Sequence, residues 1–167
     1  MGASGLRLVR HTGTRRIDEA FAQGVTKFSD GFPLLVTTEA SLADVERTSG
    51  LGRACERFRP NLVLGGSSKF AEDLAGGIRC GGARLEFVKP CARCTVPRVD
   101  PATGAVGADP IRAMKPYRSG KVLGSQPSTH QGHYAGHRGD TFFGQNAVPL
   151  EYGDDIIITE GDRFEWL

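Results

Sequence analysis

The chain has 167 residues, enough for one domain with a core of reasonable size. Its 21 Lys and Arg against 19 Asp and Glu leave a net charge of +2, too balanced for nucleic acid to be the main partner. The 23 Gly, about twice the usual share, and nine Pro favour a turn-rich β architecture over a helical bundle, and no apolar run approaches the roughly 20 residues that span a membrane.

Residues 1–27 read as an N-terminal segment and 28–167 as one domain. Within the segment, Leu6–Arg10 has strand character, Ile17, Ala20 and Phe21 have weak helical spacing, and Arg15 and Arg16 are solvated. The run Phe32–Thr37 predicts a short apolar strand. Thr38 follows as a helix N-cap with Glu39 at the positive end, Leu42 and Val45 share one face, and Gly50 stops the helix. Thr37, Thr38 and Ser41 thus occupy a strand-to-helix junction, where free backbone N–H groups suit an anion; plain capping is the simpler reading.

Arg59 and Asn61 flank Pro60 just before the apolar run Leu62–Leu64, a rigid place from which to present a fork donor and an amide. Gly65-Gly66-Ser67-Ser68-Lys69 lacks phosphate-loop spacing and reads as a turn. Phe70–Leu74 predicts one helical turn ended by Gly76-Gly77. The apolar run Leu85–Val88 then leads into Lys89-Pro90-Cys91-Ala92-Arg93-Cys94, and Thr95–Val99 reads as a second extended run.

Asp100-Pro101-Ala102-Thr103-Gly104 has turn chemistry, and a turn role for Asp100 outweighs an acid–base one. Asp109-Pro110 starts a helix with Ile111, Met114 and Tyr117 on its apolar face and Arg118 at its end. His130, His133 and His137 fall in a polar, Gly-rich stretch that reads as a mobile loop without native metal. Phe142–Asn146 returns to order, and Ile156–Thr159 and Arg163–Trp166 read as two strands joined by Glu160-Gly161-Asp162.

The central stretch is Phe87 to Gly104, where two thiols, the cations Lys89, Arg93 and Arg98 and two prolines lie together. The prolines restrict the backbone, and the cations favour a thiolate, the form that binds metals. A closed zinc site needs four ligands, but Cys55 and Cys80 are isolated. A thioredoxin-like pair belongs where a strand gives way to a helix, and an extended run follows here instead. A third reading makes one thiolate the ligand of a softer metal and leaves the other as packing; two small core residues are the plain alternative. Four unevenly spaced cysteines without the apolar core of a signal peptide fit a reducing cytoplasm.

Taken together, Arg57-Phe58-Arg59-Pro60-Asn61, Lys89–Cys94, Val99–Gly104 and Phe143-Gly144-Gln145-Asn146 resemble the MOSC (molybdenum cofactor sulfurase C-terminal) domain family, closest to its amidoxime and N-hydroxylated-compound reductase branch. The resemblance covers approximately residues 28–167. It implies an α+β, predominantly β fold, a mixed β-barrel with a few peripheral helices, that binds a molybdenum–pyranopterin cofactor. By position, Cys94 matches the catalytic metal ligand, Arg59 and Asn61 match residues lining the cofactor, Arg93 and Thr38 are further contacts, and Cys91 matches a position that does not bind metal.

The same resemblance implies reduction of small N-oxygenated substrates by oxygen-atom transfer to Cys-ligated molybdenum. The chain has no haem-attachment motif and no dinucleotide fingerprint, so electrons come from a separate electron-donor reductase. Reductases of this branch carry an N-terminal barrel domain that supplies basic residues to the cofactor, and the short segment before residue 28 reads as a remnant of it or a linker to it. The rival readings are a cofactor or sulfur carrier and an inactive truncated domain. Sulfur delivery brings pyridoxal phosphate binding into view, but a sulfurase needs a pyridoxal-phosphate domain that the sequence does not show.

Overall fold

The computed structural model describes all residues except 1–4, 6, 8, 9, 28, 152, 154 and 155. In chain order its strands are β1 (Arg15–Arg16), β2 (Val25–Thr26), β3 (Leu34–Thr38), β4 (Leu62–Leu64), β5 (Gly77–Cys80), β6 (Ala83–Ala92), β7 (Phe142–Pro149) and β8 (Phe164–Trp166). The helices are α1 (Glu39–Ser49), α2 (Ala54–Phe58), α3 (Pro110–Arg118), α4 (Gly120–Leu123) and α5 (Gln131–Gly136), with 3-10 turns at Ala71–Asp73 and Val96–Arg98. The strand expected over Leu6–Arg10 falls largely outside the described residues.

Along β6 the residues alternate, with Ala83, Leu85 and Phe87 buried and Arg84 and Glu86 exposed, as a strand with one covered face requires. The six strands run in the order β4-β3-β7-β6-β5-β8, antiparallel except for the β3–β4 pair. The sheet curls until its two ends approach across a groove lined by Val63, Leu64 and Phe164, which makes it a nearly closed barrel. Val36, Leu64, Ile78, Leu85, Phe87 and Ala147 fill its inside. A second core of Leu42, Val45, Phe58, Met114 and Phe143 glues α1, α2 and α3 to β7. This is the mixed, mostly β architecture expected.

Thr38 caps α1, its hydroxyl accepting from Ser41 N–H at 3.1 Å, and Gly50 closes the helix in the left-handed region at φ 69°. Such a cap contributes about 1 kcal/mol. Asp109 accepts from the N–H groups of Ile111 and Arg112 and caps α3 in the same way. Residues 15–26 form the β1–β2 pair, and Ile17 packs with Phe32 and Val148 on the barrel wall. The spacing of Ile17, Ala20 and Phe21 yields a turn rather than a helix.

Three further expectations are corrected. Thr95–Val99 is not a strand: Pro97 fixes a 3-10 turn, and only Val99 makes a bridge, to Val106. Ile156–Thr159 forms no strand. Ile156 and Ile158 pack on the barrel core, Ile157 carbonyl accepts from Gly82 N–H, and β5 pairs with β8 alone on that side. The histidine stretch is not a loop, since α5 spans Gln131–Gly136, the His133 and His137 rings stack at 4.3 Å, and burial lowers His133 to about 4.

Two adjacent acids lie buried beneath the sheet. Asp73 is held by Arg118 Nη1 at 2.5 Å, Tyr134 Oη at 3.1 Å and Gln145 Nε2 at 2.7 Å. Glu72 accepts from the hydroxyls of Thr37 and Ser41, and burial raises it above its ordinary 4.5, with Asp73 adding to the rise. Because the folded value lies above the unfolded one, the native state keeps a proton that the unfolded chain releases. The stability from this group is therefore full below about pH 4.5 and is lost as pH climbs through the folded value. Glu72→Gln should thus gain on the parent in urea melts as pH rises from about 4 to about 8. A stability difference that stays constant over that range contradicts this account.

Candidate functional site

Pro90 lies opposite Gln145 in the middle of the sheet, where it brings no N–H to the ladder. The β6–β7 register slips on both sides of it, between Phe87 and Lys89 and between Pro90 and Ala92. Gly144 on β7 answers with φ 77°, and a side chain there would press on Leu35 and on the Val36 carbonyl. β6 therefore bends as it leaves the barrel, and Arg93 N–H donates to Thr141 carbonyl at 2.9 Å to fix the exit.

Beyond the exit, one side chain fastens the loop. The Arg57 guanidinium, buried on α2, donates to the carbonyls of Gly52, Pro97 and Val99 at 3.0–3.1 Å and to Asp100 Oδ2 at 2.8 Å. Asp100 Oδ1 in turn accepts from the N–H groups of Ala102 and Thr103 and from Thr103 Oγ1. The Thr103 N–H above all, with the Ala102 N–H, the Thr103 hydroxyl and Arg57, holds the Asp100 carboxyl below its ordinary range. Asp100 has the turn role expected, and it also anchors Arg57.

Cys94 is exposed at the start of this pinned loop. Cys91 is half-buried, and its Sγ accepts from Arg93 Nη1 at 3.0 Å. Arg93 Nη2 donates to Phe58 carbonyl at 3.0 Å, and its guanidinium lies 5.2 Å from the centre of the Phe58 ring. That contact ties the thiol loop to the end of α2, where Arg59 follows in the left-handed region at φ 56° with an exposed side chain. A non-glycine residue in that region is strained, and here it turns the chain sharply between α2 and Pro60. Arg93 thus ties the segment that carries Cys94 to the chain just before Arg59.

Asn61 and Thr38 are placed differently. Asn61 Oδ1 accepts from Leu35 N–H at 2.8 Å and Asn61 N–H donates to Leu35 carbonyl at 2.8 Å, so the residue clasps the start of β3. Thr38 is fully buried and spends its hydroxyl on the α1 cap, Ser41 and, at 3.4 Å, Ser68 carbonyl. It stands three residues along β3 from Leu35, about 10 Å away.

Two half-buried arginines close to Cys94 in the chain, Arg93 and Arg98, each have a buried Nε without a partner among the described residues. In the sequence Arg98 is only a nearby cation, and Arg57 only part of a motif. The pattern that marks Arg57 is its spacing to Arg59 and Asn61, yet two of its three carbonyl partners, Pro97 and Val99, lie 40 or more residues away. No group of three or more His, Cys, Asp or Glu among the described residues is arranged to hold a metal ion. No helix among them is long and apolar enough to cross a membrane.

A family model described as MOSC domain matches residues 23–165. The chain is 31% identical over 137 residues to mitochondrial amidoxime-reducing component 1 of Homo sapiens, covering 78% of this chain and 38% of that protein. It is 36% identical over 92 residues to mitochondrial amidoxime reducing component 2 of Homo sapiens, covering 54% and 28%. The chain thus spans well under half the length of these relatives. Among solved structures, the YUAD protein from Bacillus subtilis aligns with a TM-score of 0.36 at 16% identity, over 82% of this chain and 70% of that one. Pyridoxal phosphate finds no support in these relatives, whose names concern amidoxime reduction.

Arg57→Met removes the fork and leaves the carbonyls of Gly52, Pro97 and Val99 without their donor. We expect a loss of about 2–4 kcal/mol in urea melts and faster amide hydrogen exchange over residues 95–104. Unchanged exchange in that loop contradicts the staple.

Proposed function

This chain belongs to the MOSC domain family, and from that membership and the exposed thiol of Cys94 we propose that it holds a molybdenum–pyranopterin cofactor and takes part in the reduction of small N-hydroxylated compounds. The observation that supports this most is an exposed thiol in a chain segment that also carries two arginines, Arg93 and Arg98, whose buried Nε groups have no partner among the described residues. A thiolate is a good ligand for a soft metal, and orphaned N–H donors suit the anionic pterin dithiolene and phosphate. The residues present fit the group.

When bound, the cofactor supplies two-electron oxygen-atom transfer. Cys94 is the protein ligand to the metal. Arg93 stands beside it, its position set by Cys91 Sγ and Phe58 carbonyl, and offers its Nε to the cofactor. Arg59 presents a full positive charge from a turn that cannot relax easily, which suits a phosphate. Asn61 and Thr38 act through shape: one fixes the start of β3 and the other the start of α1, although the exposed Asn61 retains an amide face for the ligand.

Converting an N–OH group to N–H and water consumes two electrons and two protons. The electrons come from a separate reductase partner, and a basic barrel-like domain, as in the longer members of this branch, completes the pocket. The four free cysteines suit a reducing compartment.

Cys94→Ser should lower bound molybdenum from about one atom per chain to near zero and cut benzamidoxime reduction by reduced methyl viologen at least about 100-fold, while Cys91→Ser retains the metal. Metal analysis and product chromatography on the same samples check this. Full activity in Cys94→Ser defeats the assignment, and persulfide on Cys94 without turnover favours a sulfur carrier instead.

A further inference from the structure

At the end of α3 remote from the Cys94 loop lies a second cavity of about 350 Å³, toward the small end of ligand pockets. The chain entering α3 is tied to the Val96–Arg98 turn, Gly107 N–H donating to Arg98 carbonyl at 3.0 Å, whereas the cavity is lined by Tyr117 and Arg118 at the last turn of α3, about 13 Å along the helix. The cofactor reading does not use it.

Its walls combine apolar surface with two cations and one acid, Asp73, which is already paired to Arg118. Phe70, Tyr117, Tyr134 and Leu123 supply flat and branched apolar surface, while Lys69 and Arg118 supply charge. Both cations lie against one ring: Arg118 Cζ is 4.1 Å and Lys69 Nζ 5.9 Å from the centre of Phe70. Phe70 holds that position in the left-handed region at φ 60°, with its N–H bound to Ser41 Oγ at 2.8 Å.

Arg118 is 2% exposed, and its donors are only partly used. Nε donates to Phe142 carbonyl at 3.1 Å and Nη1 to Asp73 Oδ2, but Nη2 has no partner among the described residues. Asp73 meets Arg118 through Nη1 and Oδ2 alone, while its other oxygen accepts from Tyr134 and Gln145. A buried guanidinium N–H without an acceptor among the described residues is costly, and a ligand oxygen would relieve it.

From the orphaned Arg118 donor, the second cation sharing its aromatic ring and the apolar walls, we infer that this cavity is a binding site for a small, flat organic carboxylate. One carboxylate oxygen takes the Arg118 Nη2 proton, Lys69 balances the charge, and the flat body lies among Phe70, Tyr117 and Tyr134. Lys69 is free to do this while paired to Asp44, since its Nζ has three donors.

Benzoate, titrated into the full chain by calorimetry and followed by amide NMR, tests the site. Saturable one-to-one binding should shift the resonances of Phe70 and Ser128 and leave those of Ala92–Thr95 in place, which separates this cavity from the cationic Cys94 loop. Lys69→Glu should weaken benzoate at least about tenfold. Gln126→Glu should weaken it in the same direction; its side chain lies on the cavity rim and enters no hydrogen bond among the described residues, so this variant keeps the test intact if the first fails to fold. Benzamide, neutral and of the same shape, should bind at least about tenfold more weakly than benzoate. Absence of saturable benzoate binding, shifts confined to Ala92–Thr95, equal affinity in Gln126→Glu, or benzamide binding as well as benzoate each overturns the inference.

Discussion

The Arg57 guanidinium is the interaction on which the candidate site depends. It reaches from α2 into the loop after Cys94 and there meets two backbone carbonyls and one carboxylate, while its Nε holds Gly52 carbonyl on its own side. Without it, residues 95–104 would be a Pro- and Gly-containing loop with few apolar anchors, since Val96 and Val99 are both exposed. Lysine could not substitute, because a compact ammonium cannot span acceptors set out in a fork. The order of this loop is what lets an exposed thiol keep a defined direction.

The barrel sets the other side of the same constraint. Pro90 and Gly144 break the regular ladder between β6 and β7, so the strand carrying the thiols bends away from the sheet. Phe143, next to that glycine, packs 4.5 Å from Phe58, centre to centre. Phe58 in turn gives its carbonyl to Arg93 and precedes Arg59. A single apolar contact thus links the strand irregularity to Arg93 and Arg59, and the placing of both follows from how α2 docks on β7. Buried polar groups do similar work beneath the sheet, where Asp73 gathers Arg118, Tyr134 and Gln145 from α3, α5 and β7.

What could be read in the sequence was local. The caps at Thr38 and Asp109, the stop at Gly50 and the turn at Asp100 depend on residues within a few positions, and each formed as its chemistry dictates. The barrel class followed from turn density together with the family resemblance. Legibility ended where partners are distant. Arg118 reads as an ordinary helix-end cation, yet it is buried by an acid 45 residues away. Thr95–Val99 has the composition of a strand, but Pro97 and the carbonyl contacts of Arg57 fold it into a turn. Ile156–Thr159 has the strongest β-branched pattern in the chain, and it serves as packing because β8 already occupies the edge of β5. Propensity was overridden in both by a tertiary contact that no window of sequence contains.

The central claim is that Cys94 is the thiol a bound cofactor covers, and differential alkylation tests it most directly. Iodoacetamide labelling read by mass spectrometry should modify Cys94 and Cys55 readily in cofactor-free protein and spare the buried Cys80. In cofactor-loaded protein Cys94 should become protected while Cys55 stays reactive. Equal labelling of Cys94 in both states would contradict the account.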